Sequence, residues 1–226
     1  MNIILLAPPA AGKGTQSARI VDKYHLKHIS TGDLLRASLN SNDAISNQIR
    51  EIMSSGKLVS DEIILELIKK EFISSNTYGV VLDGFPRNLT QAIKFEELLK
   101  ELNQSIDKVL YLSISRDEAL KRIVGRRTCN SCGRIYNTMI DLEKPINEET
   151  CDDCGVPLTR REDDNEDTFA SRYQTYLDET EPLIHFYQEK GLLKSIDASF
   201  KTEEVFNKIE EELDPLQWFQ LNQIMK

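Results

Sequence analysis

Four cysteines fall in two matched pairs, Cys129-Asn130-Ser131-Cys132-Gly133 and Cys151-Asp152-Asp153-Cys154-Gly155, with eighteen residues between the pairs. Each pair can turn tightly enough to aim both sulfurs at one ion, and a glycine after the second cysteine suits that turn. Four thiolates complete a tetrahedron and leave no position for water or substrate. The chemistry expected is a structural zinc ion, one per chain. The alternatives are two local disulfides or four free thiols. A reducing compartment disfavours the first, and the paired spacing disfavours the second. Iron is the substitute such a site accepts in vitro.

A second stretch carries a different chemistry. Ile3-Ile4-Leu5-Leu6 is a short apolar run that reads as a buried strand. Ala7-Pro8-Pro9-Ala10-Ala11 then turns on small residues and proline, and Gly12-Lys13-Gly14-Thr15 opens a polar helix. Strand, small-residue loop, lysine and helix make a phosphate cradle. Loop amides point at an anion, the helix N-terminus adds its positive dipole end, and the lysine reaches the outer phosphates. The match to a strict phosphate loop is imperfect: its first glycine is Ala7 here, and its Ser/Thr position is Gly14, with Thr15 one step later.

Phosphoryl transfer needs aligned substrates, neutralised charge and exclusion of water. Lys13 and the loop amides can hold donor phosphates. Arg36, Arg87, Arg122, Arg126, Arg161 and Arg172 can fork onto phosphate oxygens. Asp83, at the end of the apolar run Val80-Val81-Leu82, can hold Mg²⁺ through water. Any one of these arginines alone would read as a surface ion pair. Together they read as a site, since each sits at a loop or helix edge beside a glycine-containing turn or the cysteine segment.

These residues must be positioned by strands and helices. Apolar runs at residues 3–6, 79–83, 108–114 and 192–196, with a brief extended piece at 28–30, alternate with segments of helical spacing. The helical segments are expected over residues 15–24 (Ala18, Val21 and Tyr24 near one face), 41–56, 60–72, 90–102, 115–124, 168–190 and 202–213. Ser30-Thr31-Gly32-Asp33 offers caps ahead of Leu34-Leu35-Arg36, and Ser115-Arg116-Asp117-Glu118 reads as a capping box. Gly84-Phe85-Pro86-Arg87 must be loop. Alternating strands and helices imply an α/β fold with a parallel, doubly wound sheet, whose ligands lie beyond the carboxyl ends of the strands. Residues 7–15, residues 83–87 and Asp197 should therefore share one edge. From Gly125 to about Glu162 the periodicity fades, and this insertion is too small to bury much core. A metal staple solves that problem, and flanking arginines make the insertion look like a lid. Beyond Asp214-Pro215, a tail carrying Leu216, Trp218, Phe219, Leu221 and Ile224 is expected to dock on the core rather than on a partner.

The totals exclude several classes. A hydrophobic content of 40% with 29% charged residues fits a soluble globular chain of 226 residues. The net charge of −9 argues against a dedicated nucleic-acid binder. Even so, seven of the twelve arginines lie between Arg122 and Arg172, so positive charge is concentrated locally. No run reaches the roughly 18 apolar residues of a membrane span. No signal peptide is visible, and the expected location is the cytoplasm.

Five ordered motifs carry a resemblance: Leu5-Leu6 into Gly12-Lys13-Gly14-Thr15; Ser30 to Arg36; Gly56-Lys57-Leu58-Val59; Asp83-Gly84-Phe85-Pro86-Arg87; and Arg122-Ile123-Val124-Gly125-Arg126-Arg127. Over nearly the whole chain to Leu213, the sequence resembles the bacterial adenylate kinases of the long, zinc-lid type. The resemblance implies a P-loop NTPase-like parallel sheet flanked by helices, with a small helical AMP-binding insertion and a zinc-stapled, β-rich lid. It divides the chain into a core (residues 1–29, 60–124 and 163–213), an AMP-binding arm (30–59), a lid (125–162) and a tail (214–226).

The implied reaction is ATP + AMP ⇌ 2 ADP with Mg²⁺, in a monomer with no nucleic-acid or membrane partner. Ala10, Ala11, Gly12, Lys13, Gly14 and Thr15 would cradle ATP phosphates, with Arg126 and the backbone near Ile135, Tyr136 and Phe200 also on ATP. Thr31, Arg36, Lys57, Leu58, Val59, Gly84, Phe85, Pro86, Arg87 and Gln91 would bind AMP. Arg161 and Arg172 would converge on both phosphate chains, with Lys13, Arg87, Arg122 and Arg126 completing the catalytic set.

Two departures stand out. Ala7 and Ala10 replace family glycines, and both are expected at negative φ, where alanine costs little. Ala198 follows Asp197 where the family often has glycine. The rival readings are a UMP/CMP or GMP kinase and, from another class, a zinc-ribbon regulatory protein that binds nucleotide without turnover.

Overall fold

The structure, a computed structural model, describes residues 1–38, 52, 59–73, 79–140, 143–147 and 149–224. A parallel sheet of five strands forms its centre: β1 (Asn2–Leu6), β2 (Lys27–Ser30), β3 (Val80–Asp83), β4 (Lys108–Ser113) and β8 (Leu193–Asp197), in the order β2-β3-β1-β4-β8. Aliphatic runs form the three inner strands β1, β3 and β4, whose two faces are covered, while the edge strands β2 and β8 are more polar and more exposed. Successive side chains of β1 divide between two cores. Ile4 and Leu6 pack with α3 (Asp61–Ile73), α4 (Leu89–Glu101) and α7 (Pro182–Glu189) through Ile68, Phe95 and Leu183. Ile3 and Leu5 pack with α1 (Lys13–Tyr24) and α8 (Thr202–Ile224) through Ile20, Phe206 and Ile209. The strand–helix alternation expected from periodicity is therefore realised as a doubly wound sheet.

The register brings the functional segments to one edge. Leu5 lies opposite Asp83, Ser30 opposite Asp83, Leu6 opposite Tyr111, and Ser113 opposite Asp197. The loop after β1, the start of α2 (Thr31–Ser38) and the turn after β3 thus emerge side by side.

A second, antiparallel sheet holds the cysteine segment: β5 (Arg126–Cys129) pairs with β6 (Ile135–Asn137) and with β7 (Leu158–Thr159). Helix α5 (Arg116–Gly125) leads into it, and α6 (Glu166–Thr175) leads out, capped by the Asn165 side chain on the Thr168 amide at 2.9 Å.

Several local expectations need correction. The buried face of α1 is Gln16, Ser17, Ile20 and Tyr24, while Ala18 faces solvent. Polar contacts help to set the stripe: Ser17 faces Asp83 of β3, while Gln16 and Tyr24 bond to Thr202 and Asp214 of α8. The Ser115 hydroxyl caps the Glu118 amide at 3.2 Å, but the Glu118 carboxylate turns to Arg122 Nε at 3.3 Å, so only half the capping box forms. Between α6 and α7 a π-helical turn, Tyr176–Thr180, interrupts what periodicity reads as one helix. The last helix does not stop at Leu213 but runs through Pro215 to Ile224. Asp214 accepts from Lys23 Nζ at 2.8 Å and from the Tyr24 hydroxyl at 2.6 Å, and Leu216 packs on the core, so contacts flank the proline on both sides. The helix expected over residues 41–56 lies outside the described residues except for helical Ile52, which packs on the first core.

Candidate functional site

The loop after β1 folds over the start of α1. The Ala11 amide donates to Pro8 O at 3.4 Å and Lys13 Nζ to Ala7 O at 3.2 Å. Gly12 caps the helix in the left-handed region at φ 88°, where glycine is at ease. Ala10 also lies there, at φ 64°, against the expectation of negative φ. The cause is local: the chain must reverse within the few residues between Pro9 and Lys13. Ala7 is not among the described non-glycine residues with positive φ, so only one of the two alanines departs from expectation.

Across the strand ends, Asp83 is largely buried, at 13% exposure of its side chain. The Ser17 hydroxyl approaches its Oδ2 at 3.4 Å, and His28 Nε2 lies 3.6 Å away with no hydrogen-bond partner of its own. Burial acts to raise the carboxyl pKa, but the facing His28 and Lys13 outweigh it and hold it below the ordinary value. Burial lowers Lys13 to about 8, with Asp83 opposing and Arg87, Arg172 and Arg126 adding to the depression. Arg87 is lowered to about 10, first by burial and then by Arg172. These cations crowd a pocket with few counter-charges, and such a pocket is poised for a polyanion.

One cavity joins the two halves of the site. Ala7, Pro9 and Lys13 line one side, Thr31, Arg36, Val59, Gly84, Pro86 and Gln91 the other, with Arg87 and Arg172 among its walls. The Asp83–Arg87 turn is tied to α2. The Thr31 hydroxyl donates to Gly84 O at 2.8 Å, Arg87 Nε donates to the same oxygen at 2.9 Å, and the Arg87 amide donates to Gln91 Oε1 at 2.8 Å. Gln91 is buried, and its Nε2 donates to Asp61 at 2.7 Å. Phe85 lies wholly in the core, joined to Pro86 by a cis peptide bond. Lys57 and Leu58 lie outside the described residues.

The arginines are held by two carboxylates that sequence reasoning missed. Arg126 grips Asp164 with both Nε and Nη2, and Arg172 Nη1 donates to Asp163 at 2.7 Å. Asp164 is 1% exposed. Burial lowers the pKa of Arg161 and Arg172, and neighbouring Arg126 adds to both. A guanidinium fork binds carboxylate and phosphate oxygens through the same paired N–H donors. The available signal was the run Glu162-Asp163-Asp164 directly after Arg160-Arg161. The π turn was also missed. It puts Tyr176 and Thr180 on the cavity wall, and the Thr180 hydroxyl donates to Arg87 O at 2.7 Å.

Several expected residues are not among those that line this cavity, Arg126 and Arg161 included. Arg122 pairs with Glu118, Ile135 is exposed, and Phe200 is 45% exposed with Lys208 Nζ 3.9 Å above its ring. Tyr136 is buried in the cysteine cluster.

The four sulfurs lie within 4.8 Å of one another, with Cys132 and Cys151 3.7 Å apart. A tetrahedron with metal–sulfur bonds of about 2.3 Å has sulfur–sulfur edges of about 3.8 Å, so the cluster fits such an ion. Both knuckles share one hydrogen-bond pattern. Gly133 N donates to Cys129 O at 2.9 Å, as Gly155 N does to Cys151 O at 2.8 Å. Gly133 and Gly155 have φ of 76° and 66°, as the turn requires.

The adenylate kinase family profile matches residues 5–192, most of the chain and every element of the cavity. The chain belongs to the adenylate kinase family. Among curated adenylate kinases, it is 41% identical to that of Thermodesulfovibrio yellowstonii, over 92% of this chain and 97% of the relative. It is 41% identical to that of Archaeoglobus fulgidus over 96% of this chain and 99% of the relative, and 43% identical to that of Syntrophobacter fumaroxidans over 92% and 98%. Every residue that lines the cavity, Arg36, Arg87 and Arg172 among them, falls within the span matched by the adenylate kinase family.

Proposed function

We infer that this family member catalyses ATP + AMP ⇌ 2 ADP, and that the cavity is where the two nucleotides meet. One observation carries the assignment of residues. Lys13 and the Thr31–Arg36–Gln91 group face a single cavity, with Arg87 and Arg172 shared between them. The donor half consists of Lys13 and the amides of residues 10–15. The acceptor half consists of Thr31, Arg36, Lys57 to Val59, the Gly84 to Arg87 turn and Gln91. Arg87, Arg126, Arg161 and Arg172 neutralise the transferring group, and Asp163 and Asp164 hold two of these forks until phosphate arrives. Arg122, paired with Glu118 here, is the remaining arginine of the catalytic set. Ile135, Tyr136 and Phe200 contribute backbone contacts to ATP.

Asp83 would hold Mg²⁺ through water, and the ion would supply neutralisation of phosphate charge. Gly14 offers no hydroxyl to the ion, so Asp83 carries more of that task. The four cysteines hold zinc, which supplies structure to the lid and no open coordination position. Residues 30–59 serve as the AMP-binding arm and 125–162 as the lid over the core. Lid closure excludes water, and reopening limits turnover. The enzyme acts as a cytoplasmic monomer, without nucleic-acid or membrane partners.

The deciding experiment is coupled detection of nucleoside diphosphate with AMP, UMP, CMP and GMP as acceptors. Turnover with AMP well above the others is expected. Robust turnover with a pyrimidine acceptor alone would overturn the assignment of Thr31 and Gln91 to adenine.

A further inference from the structure

The lid's metal cluster has a neighbour that no ligand count includes. Tyr136 is 2% exposed, and its hydroxyl lies 3.4 Å from Cys151 Sγ. The Asp152 amide donates to the same hydroxyl oxygen at 2.9 Å. The phenol oxygen is thus already an acceptor, and its own proton is left to point at the sulfur. A metal-bound thiolate carries no proton and can only accept. The direction of the bond is fixed by that chemistry. Arg134 reinforces the arrangement, with its guanidinium 4.8 Å from the Tyr136 ring centroid and Nη1 2.6 Å from Asp153 Oδ1. Arg134, just before β6, and Tyr136, within it, therefore both reach across to the second knuckle.

We propose that the Tyr136 hydroxyl is an outer-sphere donor to the lid metal, holding the Cys151 thiolate in place and retaining the ion. The physical need is charge. Four thiolates around a divalent ion leave two net negative charges, and Cys129 and Cys151 are buried. A buried anionic cluster needs donors, and outer-sphere partners of this kind change metal affinity by about 10–100-fold. Tyr136 also pairs with Arg127 in the sheet, next to Arg126, so metal retention is tied to the strand that carries an expected phosphate ligand. The proposal rests on the reading of the four cysteines as a zinc site.

The test uses the full chain and its Tyr136→Phe variant, which keeps the ring and the Arg134 contact. Zinc affinity is measured by competition with a chromophoric chelator. Melting is followed with zinc and after stripping, and the thiolate-to-metal charge-transfer band is recorded with cobalt in place of zinc. We expect zinc affinity about tenfold weaker in the variant, equal melting of the two stripped proteins, and a cobalt band shifted to longer wavelength. Should the variant fail to fold, the wild type still reports: zinc loading must change the tyrosine absorption of a buried donor phenol. An affinity within twofold of wild type with an unshifted band would overturn the proposal. So would an equal loss of melting temperature with and without metal, since the hydroxyl would then be a packing contact. A wild type that retains no zinc would instead overturn the metal reading itself.

Discussion

The nucleotide cavity and the cysteine lid both gather charge, and the chain supports them by opposite means. The cavity sits on the edge of a sheet whose two faces bury long runs of aliphatic and aromatic side chains, from Ile4 to Phe95 on one side and Ile3 to Leu213 on the other. That core is stable enough to carry Lys13 and Arg87 as depressed, poorly compensated cations. The hydrophobic cluster described in the lid is small: Cys129, Tyr136 and Cys151 are buried, with Val156 and Leu158 half-buried against them. The lid has no such reserve and relies on bonds: four sulfurs, the Tyr136 hydroxyl and arginine–carboxylate pairs. Burial can underwrite an electrostatic cost in one region, while a metal must replace burial in the other.

The largest effect expected from this contrast is at Lys13. Lys13→Met should lower kcat/KM by roughly a thousandfold, the size associated with losing a preorganised charge on the transferring group. Melting temperature should hold or rise, because the substitution removes a cation that the core tolerates at a cost. A variant that melted well below wild type would mean Lys13 is structural, and the contrast would fail.

The wild type offers a reversible form of the same test. With its pKa lowered from 10.5 to about 8, Lys13 loses its proton in the free enzyme as pH rises through 8. The sign is that of a depressed base: its destabilising contribution is present below pH 8 and relieved as pH rises toward the unfolded value. Accordingly kcat/KM for ATP should fall above pH 8. Meanwhile kcat should hold, since bound phosphates favour the charged form. A kcat/KM that stays flat from pH 7 to 9.5 would contradict the depressed lysine.

Metal removal should be smaller and should strike stability rather than chemistry. Chelation is expected to cost a few kcal/mol and lower melting by roughly 10 °C, while initial rate at ambient temperature changes little. Immediate loss of turnover in a chelated but still folded protein would give the metal a chemical role and erase the distinction between the two regions.

The same contrast explains what could be read without coordinates. The parallel sheet was legible because strands covered on both faces must be aliphatic, and Ile3 to Leu6, Val80 to Leu82 and Val109 to Leu112 leave little choice. The sulfur cluster was legible because ligand spacing is local. The Asp164–Arg126 pair was not, since a buried ion pair has no periodicity and Asp164 lies 38 residues from its partner. The π turn was not, because one extra residue per turn leaves Tyr176 and Leu183 still inward-facing. The end of α8 was misjudged because Pro215 forbids a helix only where nothing else holds it, and Asp214 and Leu216 both do.

The smallest prediction concerns the two alanines of the phosphate loop, which differ in sign. Ala10 sits at φ 64°, where a Cβ costs about 1–2 kcal/mol. Ala10→Gly relieves this but loosens the unfolded chain, returning roughly 0.5–1 kcal/mol. The net gain should be under about 1 kcal/mol, a rise in melting temperature of about 2 °C. Ala7 is 6% exposed and packs in the second core, and its carbonyl accepts from Lys13. Ala7→Gly relieves nothing there and removes a buried methyl, so it should destabilise by about 1 kcal/mol. Paired thermal melts of the two variants read the opposition directly. If both fell by the same amount, Ala10 would carry no strain, and the loop would owe nothing to the core beneath it. A rise at Ala10 beside a fall at Ala7 would show that the sheet holds a left-handed alanine at the phosphate loop much as it holds a depressed lysine.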